Sequence, residues 1–325
     1  MTAGSTPPRA VLDLVAERQA ARERRDFARA DALRDQVREA GWLIRDTAGG
    51  AELVEAPAWE PVDLGTVAPC WDEPDRHEVS VIVHVLGWPD DVRRALASLA
   101  AHCAATDYEV VLVDDGAGGE AGRALEELAV ADPRVRVLHL DMPVGFGAAM
   151  NLGMGQATGR VLVWLDPHVE ADGDLLAPLL AALAEPGTGL AGGWGVISHS
   201  MLDFEADDGP EVDAVEGYLL AVPRALAAQV PLDPKHRYYR NADLDFSFAV
   251  RDLHGDSGRL RAVRVPVPAL RHRHRAYHET EPVQRERASR KNYDRFLQRW
   301  KGRTDLLTRG FTGYHRHPPE QGTRA

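Results

Sequence analysis

The sequence predicts an α/β protein built on a mostly parallel sheet with helices on both faces. Two observations carry this expectation. From Glu78 onward, continuous apolar runs of strand length alternate with segments of helical periodicity, the pattern of strands buried on both faces and joined by crossover helices. Polar residues gather at the carboxyl ends of those runs, Asp114 and Asp115 after one and Asp166 and His168 after another, where such sheets hold their ligands.

Composition bounds the rest. A chain of 325 residues with 44% hydrophobic content can bury a full core. No segment reaches roughly 18 uninterrupted apolar residues, and "MTAGSTPPRA" lacks the apolar centre of a signal peptide. The cytoplasm is therefore the expected compartment, with association at a membrane surface as the other setting. Two cysteines, Cys70 and Cys103, point to neither a disulfide framework nor a zinc cluster. The formal charge of −12 is unevenly spread: from Arg271 to Ala325 there are 14 Lys+Arg against 6 Asp+Glu, so the tail is basic and the body acidic. A basic tail can neutralise phosphates or dock on an acidic body.

In chain order, residues 8–54 read as a small helical unit ending in a hairpin. Phe27, Ala30, Leu33 and Val37 recur at helical spacing, Asp26 suits an N-cap and Gly41 a C-terminal stop. The helix of "AVLDLVAERQAARERR" supplies a facing stripe, and "WLI" and "ELV" flank Gly49-Gly50, which suits a tight turn between short strands. Residues 55–77 hold four prolines and no periodicity, which marks a linker. Residues 78–275 form the main domain: strand "VSVIVHV", helix "DDVRRALASLAAHC", strand "YEVVLVDDG", helix "GRALEELAVA", strand "VRVLHL", helix "GFGAAMNLGMGQA" and strand "RVLVWLD". Neither a GxGxxG after the first strand nor a GxxxxGK[ST] is present, so the chemistry falls to carboxylates. Residues 276–325 are the basic helical tail.

Two resemblances follow from these residues. "FARADALRD", Gly41 and "DTAGG" resemble the small C-terminal domain of cysteinyl-tRNA synthetases over about 45 residues. In that family the domain touches tRNA, but between Arg9 and Glu55 there are 9 Arg against 10 acidic residues, too little positive excess for phosphate contact. A structural or dimerising hairpin is the favoured reading, compatible with a homo-oligomer. The second spans about 200 residues, from Val79 to about His274. "VSVIVHVLGWPDDVRRALASL", "YEVVLVDDGAGG", "VGFGAAMNLGMGQATGRVLVWLDPHV", "VEGYLLAVPRAL" and "YYRNADLDFSFAVRDLHG" in sequence resemble the family 2 glycosyltransferases of GT-A fold.

That resemblance implies an inverting, metal-dependent transfer of a sugar from a nucleoside diphosphate, UDP favoured, to an acceptor hydroxyl on a glycan, a lipid-linked molecule or a small molecule. It places the donor at Asp114, Asp115, Val85, Asn151 and Asp166. It makes Asp166 the ligand of Mn²⁺ or Mg²⁺ and puts His168 where the family has a second aspartate. Imidazole is a poor ligand for Mg²⁺ and an acceptable one for Mn²⁺. His272 and His274, in "RHRHR", are expected as further metal or diphosphate ligands sharing one face of a strand, with Arg271, Arg273 and Arg275 adding positive charge. Asp243 is the expected catalytic base, with Ala242 at the family's glutamate. Asp245, Gly217 and Trp194 are assigned to the acceptor side, where "RYYRN" is also placed. Two rival readings compete: a non-catalytic scaffold of the same fold binding a nucleotide sugar or a partner, motivated by His168 and Ala242, and an RNA-directed enzyme or adaptor, motivated by the N-terminal unit.

Overall fold

The computed structural model describes residues 6–47, 50–56, 59–255 and 258–314. Helices α1 (Arg9–Glu23) and α2 (Phe27–Glu39) pack as a hairpin, followed by strands β1 (Trp42–Thr47) and β2 (Gly50–Glu55), antiparallel with Trp42 opposite Glu55. Asp26 caps α2 by accepting from the Arg29 amide at 3.1 Å. Gly41, at φ +83°, ends it in a conformation that glycine adopts without strain. Ala30, Leu33 and Val37 are buried as expected, but Phe27 is 63% exposed. The last buried residue of α1 is Ala21, and only arginine and glutamate follow it to Arg25, so the end of α1 offers Phe27 no apolar cover. Gly49 of the expected turn lies outside the described residues.

The body follows in chain order as β3 (His77–Val85), α3 (Pro89–His102), β4 (Tyr108–Asp114), α4 (Gly119–Ala131), β5 (Val135–His139), α5 (Phe146–Gln156) and β6 (Gly159–Leu165). Next come β7 (Val169–Ala171), α6 (Leu176–Ala184), β8 (Thr188–Gly192), β9 (Gly195–Ile197), β10 (Glu205–Ala206), β11 (Glu211–Val212), β12 (Ala214–Val215) and β13 (Leu219–Pro223). The chain ends with α7 (Arg224–Ala227), α8 (Ala242–Asp252), β14 (His254–Gly255), β15 (Gly258–Arg259), β16 (Arg261–Arg264), β17 (Ala269–Arg271), α9 (Arg275–Glu279) and α10 (Pro282–Trp300).

The central sheet has the order β11-β16-β8-β13-β6-β3-β4-β5. The β6-β3-β4-β5 half is parallel, and β13 enters antiparallel between β6 and β8. Side-chain alternation divides the core into two layers. Val79, Val81 and Val83 face α3, α4 and α6, while Ile82, Val111, Leu162 and Trp164 face α5, α8 and α10. With both faces covered, the strands read as continuous apolar runs, each fully buried Val or Leu contributing roughly 1.5–3 kcal/mol. Gly153 lets α5 approach that sheet closely, because a Cβ there would lie 2.7 Å from Ile82 Cγ2.

At the amino ends of the parallel strands a buried carboxylate ties four of them together. Glu109 on β4 accepts from Ser80 Oγ (2.6 Å), from the Thr158 amide (2.7 Å) and hydroxyl (2.8 Å), and from Arg136 Nε (3.0 Å). Burial alone pushes such a carboxyl up; the Ser80 and Thr158 donors and the Arg136 guanidinium prevail and hold Glu109 at about 2.

The proline-rich stretch before β3 is fastened to the body. Val62 N donates to His139 O at 2.7 Å, Arg76 N to Thr158 O at 2.8 Å, and the Trp59 ring stacks on His139 at 4.2 Å. The basic tail docks: Phe296 and Trp300 of α10 pack on Phe248 of α8, and Trp300 Nε1 donates to Asp245 Oδ1 at 2.6 Å.

Candidate functional site

Strand β6 ends at Leu165 and delivers Asp166, whose amide donates to Tyr218 O at 2.9 Å. The chain turns at once: His168 N donates back to Asp166 Oδ1 at 2.8 Å. The turn leads into β7, which pairs antiparallel with β17, Arg271 opposite Val169. That pairing carries a segment about a hundred residues downstream across the end of β6, so that His272 N donates to His168 O and His274 arrives over Asp166.

Asp166, His168 and His274 form a candidate divalent-metal centre, with one ligand atom from each within 4.8 Å of the others. His168 Nδ1 stands 2.7 Å from Asp166 Oδ1 and His274 Nε2 stands 3.1 Å from Oδ2. The two imidazoles stack at 4.4 Å, and Tyr239 stacks on the far side of His274 at the same distance. The distal nitrogens are held by backbone amides, Arg275 N on His168 Nε2 (3.0 Å) and Tyr277 N on His274 Nδ1 (3.1 Å). An amide can only donate, so in each neutral ring the proton sits on the nitrogen facing Asp166. Burial works against the Asp166 carboxylate, yet hydrogen bonds from His168 and His274 hold it well below the usual range. One carboxylate and two imidazoles make a donor set that suits Mn²⁺; to ligate beside Asp166, each neutral ring has to move its facing proton to the distal nitrogen and give up the amide contact there. Asp91, in the first turn of α3, anchors this corner through Arg275 Nε (3.0 Å) and lies 3.6 Å from His168 Nε2.

Beside the cluster opens a cavity of about 650 Å³, lined among others by Asp166, Glu216, Gly217, Asp243 and Arg271. Asp243 lies in the first turn of α8, where Oδ2 accepts from Gly217 N at 2.9 Å and Oδ1 from Leu244 N at 3.0 Å. Burial pushes its carboxyl up despite those donors. Glu216 is also raised, by burial and then by the nearby Asp243, against Arg271, which binds it at 3.1 Å. Arg271 itself lies over the rings of Tyr218 (4.4 Å) and Trp194 (5.1 Å).

The other expected site residues stay out of the metal cluster, although His272 still lines the cavity. His272 binds Glu170 at 2.5 Å; β17 ends at Arg271, so the strand alternation expected to align His272 with His274 stops before either. Asp245 faces α10, bonded to Trp300 and to Arg299 Nη1 (3.2 Å). Trp194 stands behind Arg271 and Tyr218. Asn151 exchanges both amide atoms with the Leu232 backbone, at 2.8 and 2.9 Å. Val85 is buried, its carbonyl accepting from Asp115 N at 3.0 Å. Asp114 is buried between the Ala117 amide (2.8 Å) and His139 (2.7 Å), and Asp115 is buried behind His84. Sequence reasoning passed over His84, Asp91 and Glu216. A histidine interrupting the apolar run of β3, and a glutamate beside Gly217, were the available signals.

Comparison with known proteins finds relatives for two parts of the chain. Residues 80–211 match glycosyl transferase family 2, and residues 7–52 match the cysteinyl-tRNA ligase anticodon binding domain. The undecaprenyl-phosphate 4-deoxy-4-formamido-L-arabinose transferase of Pseudomonas fluorescens (strain Pf0-1) is 35% identical over 120 residues, covering 36% of this chain and 35% of that protein. The cysteine–tRNA ligase of Cereibacter sphaeroides (strain KD131 / KCTC 12085) is 48% identical over 52 residues, 16% of this chain and 10% of that one. The crystal structure of GalNAc-T7 with UDP, GalNAc and Mn²⁺ aligns with a TM-score of 0.56 at 18% identity, covering 69% of this chain and 48% of that one. The fold is GT-A. The chain spans about a third of the length of the curated sugar transferase above. Among the described residues, no helix is long and apolar enough to cross a membrane.

Proposed function

We propose that the protein, whose residues 80–211 match glycosyl transferase family 2, is an inverting, metal-assisted glycosyltransferase using a nucleoside-diphosphate sugar, UDP favoured. The observation that carries the reading is that Asp166 and His274 of the Asp166–His168–His274 cluster border one cavity with the raised carboxyl of Asp243.

In this mechanism Asp243 takes the proton of an acceptor hydroxyl as its oxygen attacks the anomeric carbon. The bond from that carbon to the diphosphate breaks on the opposite face, and the nucleoside diphosphate departs. A carboxyl raised by burial is a stronger base than a solvated aspartate, and the Gly217 and Leu244 amides fix its direction. A divalent ion held by Asp166, His168 and His274 would supply Lewis-acid stabilisation of the leaving diphosphate. Arg271 and Arg273 line the same cavity and add positive charge there. Glu216, tied to Arg271, and Gly217 border the acceptor side, with Trp194 supporting that wall through Arg271. Asp114, Asp115, Val85 and Asn151 act from beneath the donor, shaping the loops that bear it, and Asp245 holds α8, with Asp243 on it, against α10. A cytoplasmic setting belongs to the same reading and is supported by Cys70 and Cys103 both being free thiols. The solved neighbour's UDP and Mn²⁺ supply the choice of nucleotide and ion to try first.

The test is Asp243→Asn. Transfer from a UDP-sugar should fall by about a hundredfold or more, while calorimetric UDP–Mn²⁺ binding stays within about threefold. Transfer surviving within about tenfold, a barrier change of about 1.4 kcal/mol, removes Asp243 as the base.

A further inference from the structure

Asp115, one of the carboxylates expected at the donor, has no oxygen to spare. Asp115 Oδ1 accepts from Val144 N at 2.6 Å; Oδ2 accepts from Gly145 N at 3.0 Å and faces His84 Nε2 at 3.1 Å. It is 2% exposed. Burial opposes its charge, but His84 and the two amides hold it below the usual range, so it is ionised at neutral pH. An ionised carboxylate can only accept, hence His84 Nε2 carries a proton and donates it. In the neutral ring, Nδ1 is then left as a lone-pair acceptor.

His84 borders a second cleft, also lined by Asp166, His168 and His274, where the reading above places the donor. His84 lines it with Leu86, Trp88 and Phe146, and its ring is set edge-to-face against Phe146 at 5.3 Å and 89°. Nδ1 has no hydrogen-bond partner among the described residues, and it is not among their sealed, unpartnered polar atoms. The side chain is 10% exposed, so an occupant of the cleft can reach it. Apolar and aromatic walls with one fixed acceptor form a surface for a heterocycle that presents a ring N–H.

The inference rests on the nucleotide-sugar reading above. We propose that His84, its tautomer set by Asp115, selects the nucleobase: it accepts from bases with a ring N–H at the pairing edge, such as uracil, and rejects cytosine and adenine, which place a lone pair there. A lone pair opposed to Nδ1 leaves two acceptors desolvated without a proton between them, and a site built this way discriminates by about tenfold or more.

UDP and CDP share the diphosphate, the ribose and the ring size, and differ in this edge. Calorimetry with the full chain and Mn²⁺ at about pH 8, above the ordinary histidine range, should show UDP binding at least about tenfold tighter than CDP. His84→Gln, whose amide can rotate to offer either a donor or an acceptor, should bring the ratio below about threefold. His84→Leu should weaken both nucleotides to a common affinity; thermal melts of both variants verify folding. Wild-type binding of UDP and CDP within about threefold overturns the proposal on its own, without any variant. So does a folded His84→Gln that keeps the tenfold preference. Failure of the underlying reading looks different: neither nucleotide binds the wild type, and both conclusions fall.

Discussion

Replacing Glu109 by glutamine isolates the group that ties the parallel strands at their amino ends. In the folded protein its carboxyl lies at about 2, against an ordinary 4.5, and its side chain is 8% exposed. The sign follows from the lowered value: ionised Glu109 favours the fold above the unfolded pKa, and this contribution is lost as pH falls toward 2. At 1.36 kcal/mol per unit, the shift is worth about 3.4 kcal/mol near neutrality. Integrating the titration, about 1.4 kcal/mol of that has gone by about pH 3.5. Urea unfolding of wild type and Glu109→Gln at about pH 6.5 and about pH 3.5 measures this directly, because other carboxylates contribute equally to both proteins and cancel. The wild type should lose about 1.4 kcal/mol more than the variant over the interval. Stability profiles parallel within about 0.5 kcal/mol would refute the claim that this network holds Glu109 ionised.

Other consequences are equally open to measurement. His168→Ala and His274→Ala should each weaken Mn²⁺ binding by about tenfold or more, while His272→Ala leaves it within about twofold; calorimetric titration with the metal alone separates the two histidines of "RHRHR". Because burial raises Asp243, the acid limb of kcat/KM should lie above the ordinary aspartate range, activity rising as pH passes upward through it, and Asp243→Asn should erase that limb. Trp300→Phe leaves Asp245 short of a buried donor and should cost about 1–3 kcal/mol in denaturant unfolding with KM for the acceptor unchanged; a large change in KM with stability intact would instead return Asp245 to the acceptor site. Phe27→Ser, at an exposed position, should alter stability by no more than about 0.5 kcal/mol, while Leu33→Ala should cost about 2–5 kcal/mol.

The parallel half of the sheet was legible because its information is local. Val79, Val81 and Val83 point to one layer and Ile82 to the other, and the resulting unbroken apolar run can be read without knowing any partner. The α2 cap at Asp26 and its stop at Gly41 are local in the same sense. The motif series also brought Asp166, His168 and Asp243 into view as candidates, and the fold places Asp166 and Asp243 on one cavity. Which downstream histidine meets Asp166 was not legible, since it depends on β17 pairing with β7 and ending at Arg271. Asp243 and Asp245 differ by two positions, and two residues along a helix turn a side chain to a different face, so one looks at Gly217 and the other at Trp300. The paired aspartates, Asp114 and Asp115, announce a ligand site by their position after β4. Only the fold reveals that their oxygens are taken by His139, His84 and backbone amides, leaving His84 to face the cleft. The sequence by itself determined the layers, the helix ends and the chemical inventory, because periodicity and capping act over a few residues. The tertiary structure decided which of those groups share a cavity, because hydrogen-bond partners and strand pairings are chosen across a hundred residues of chain.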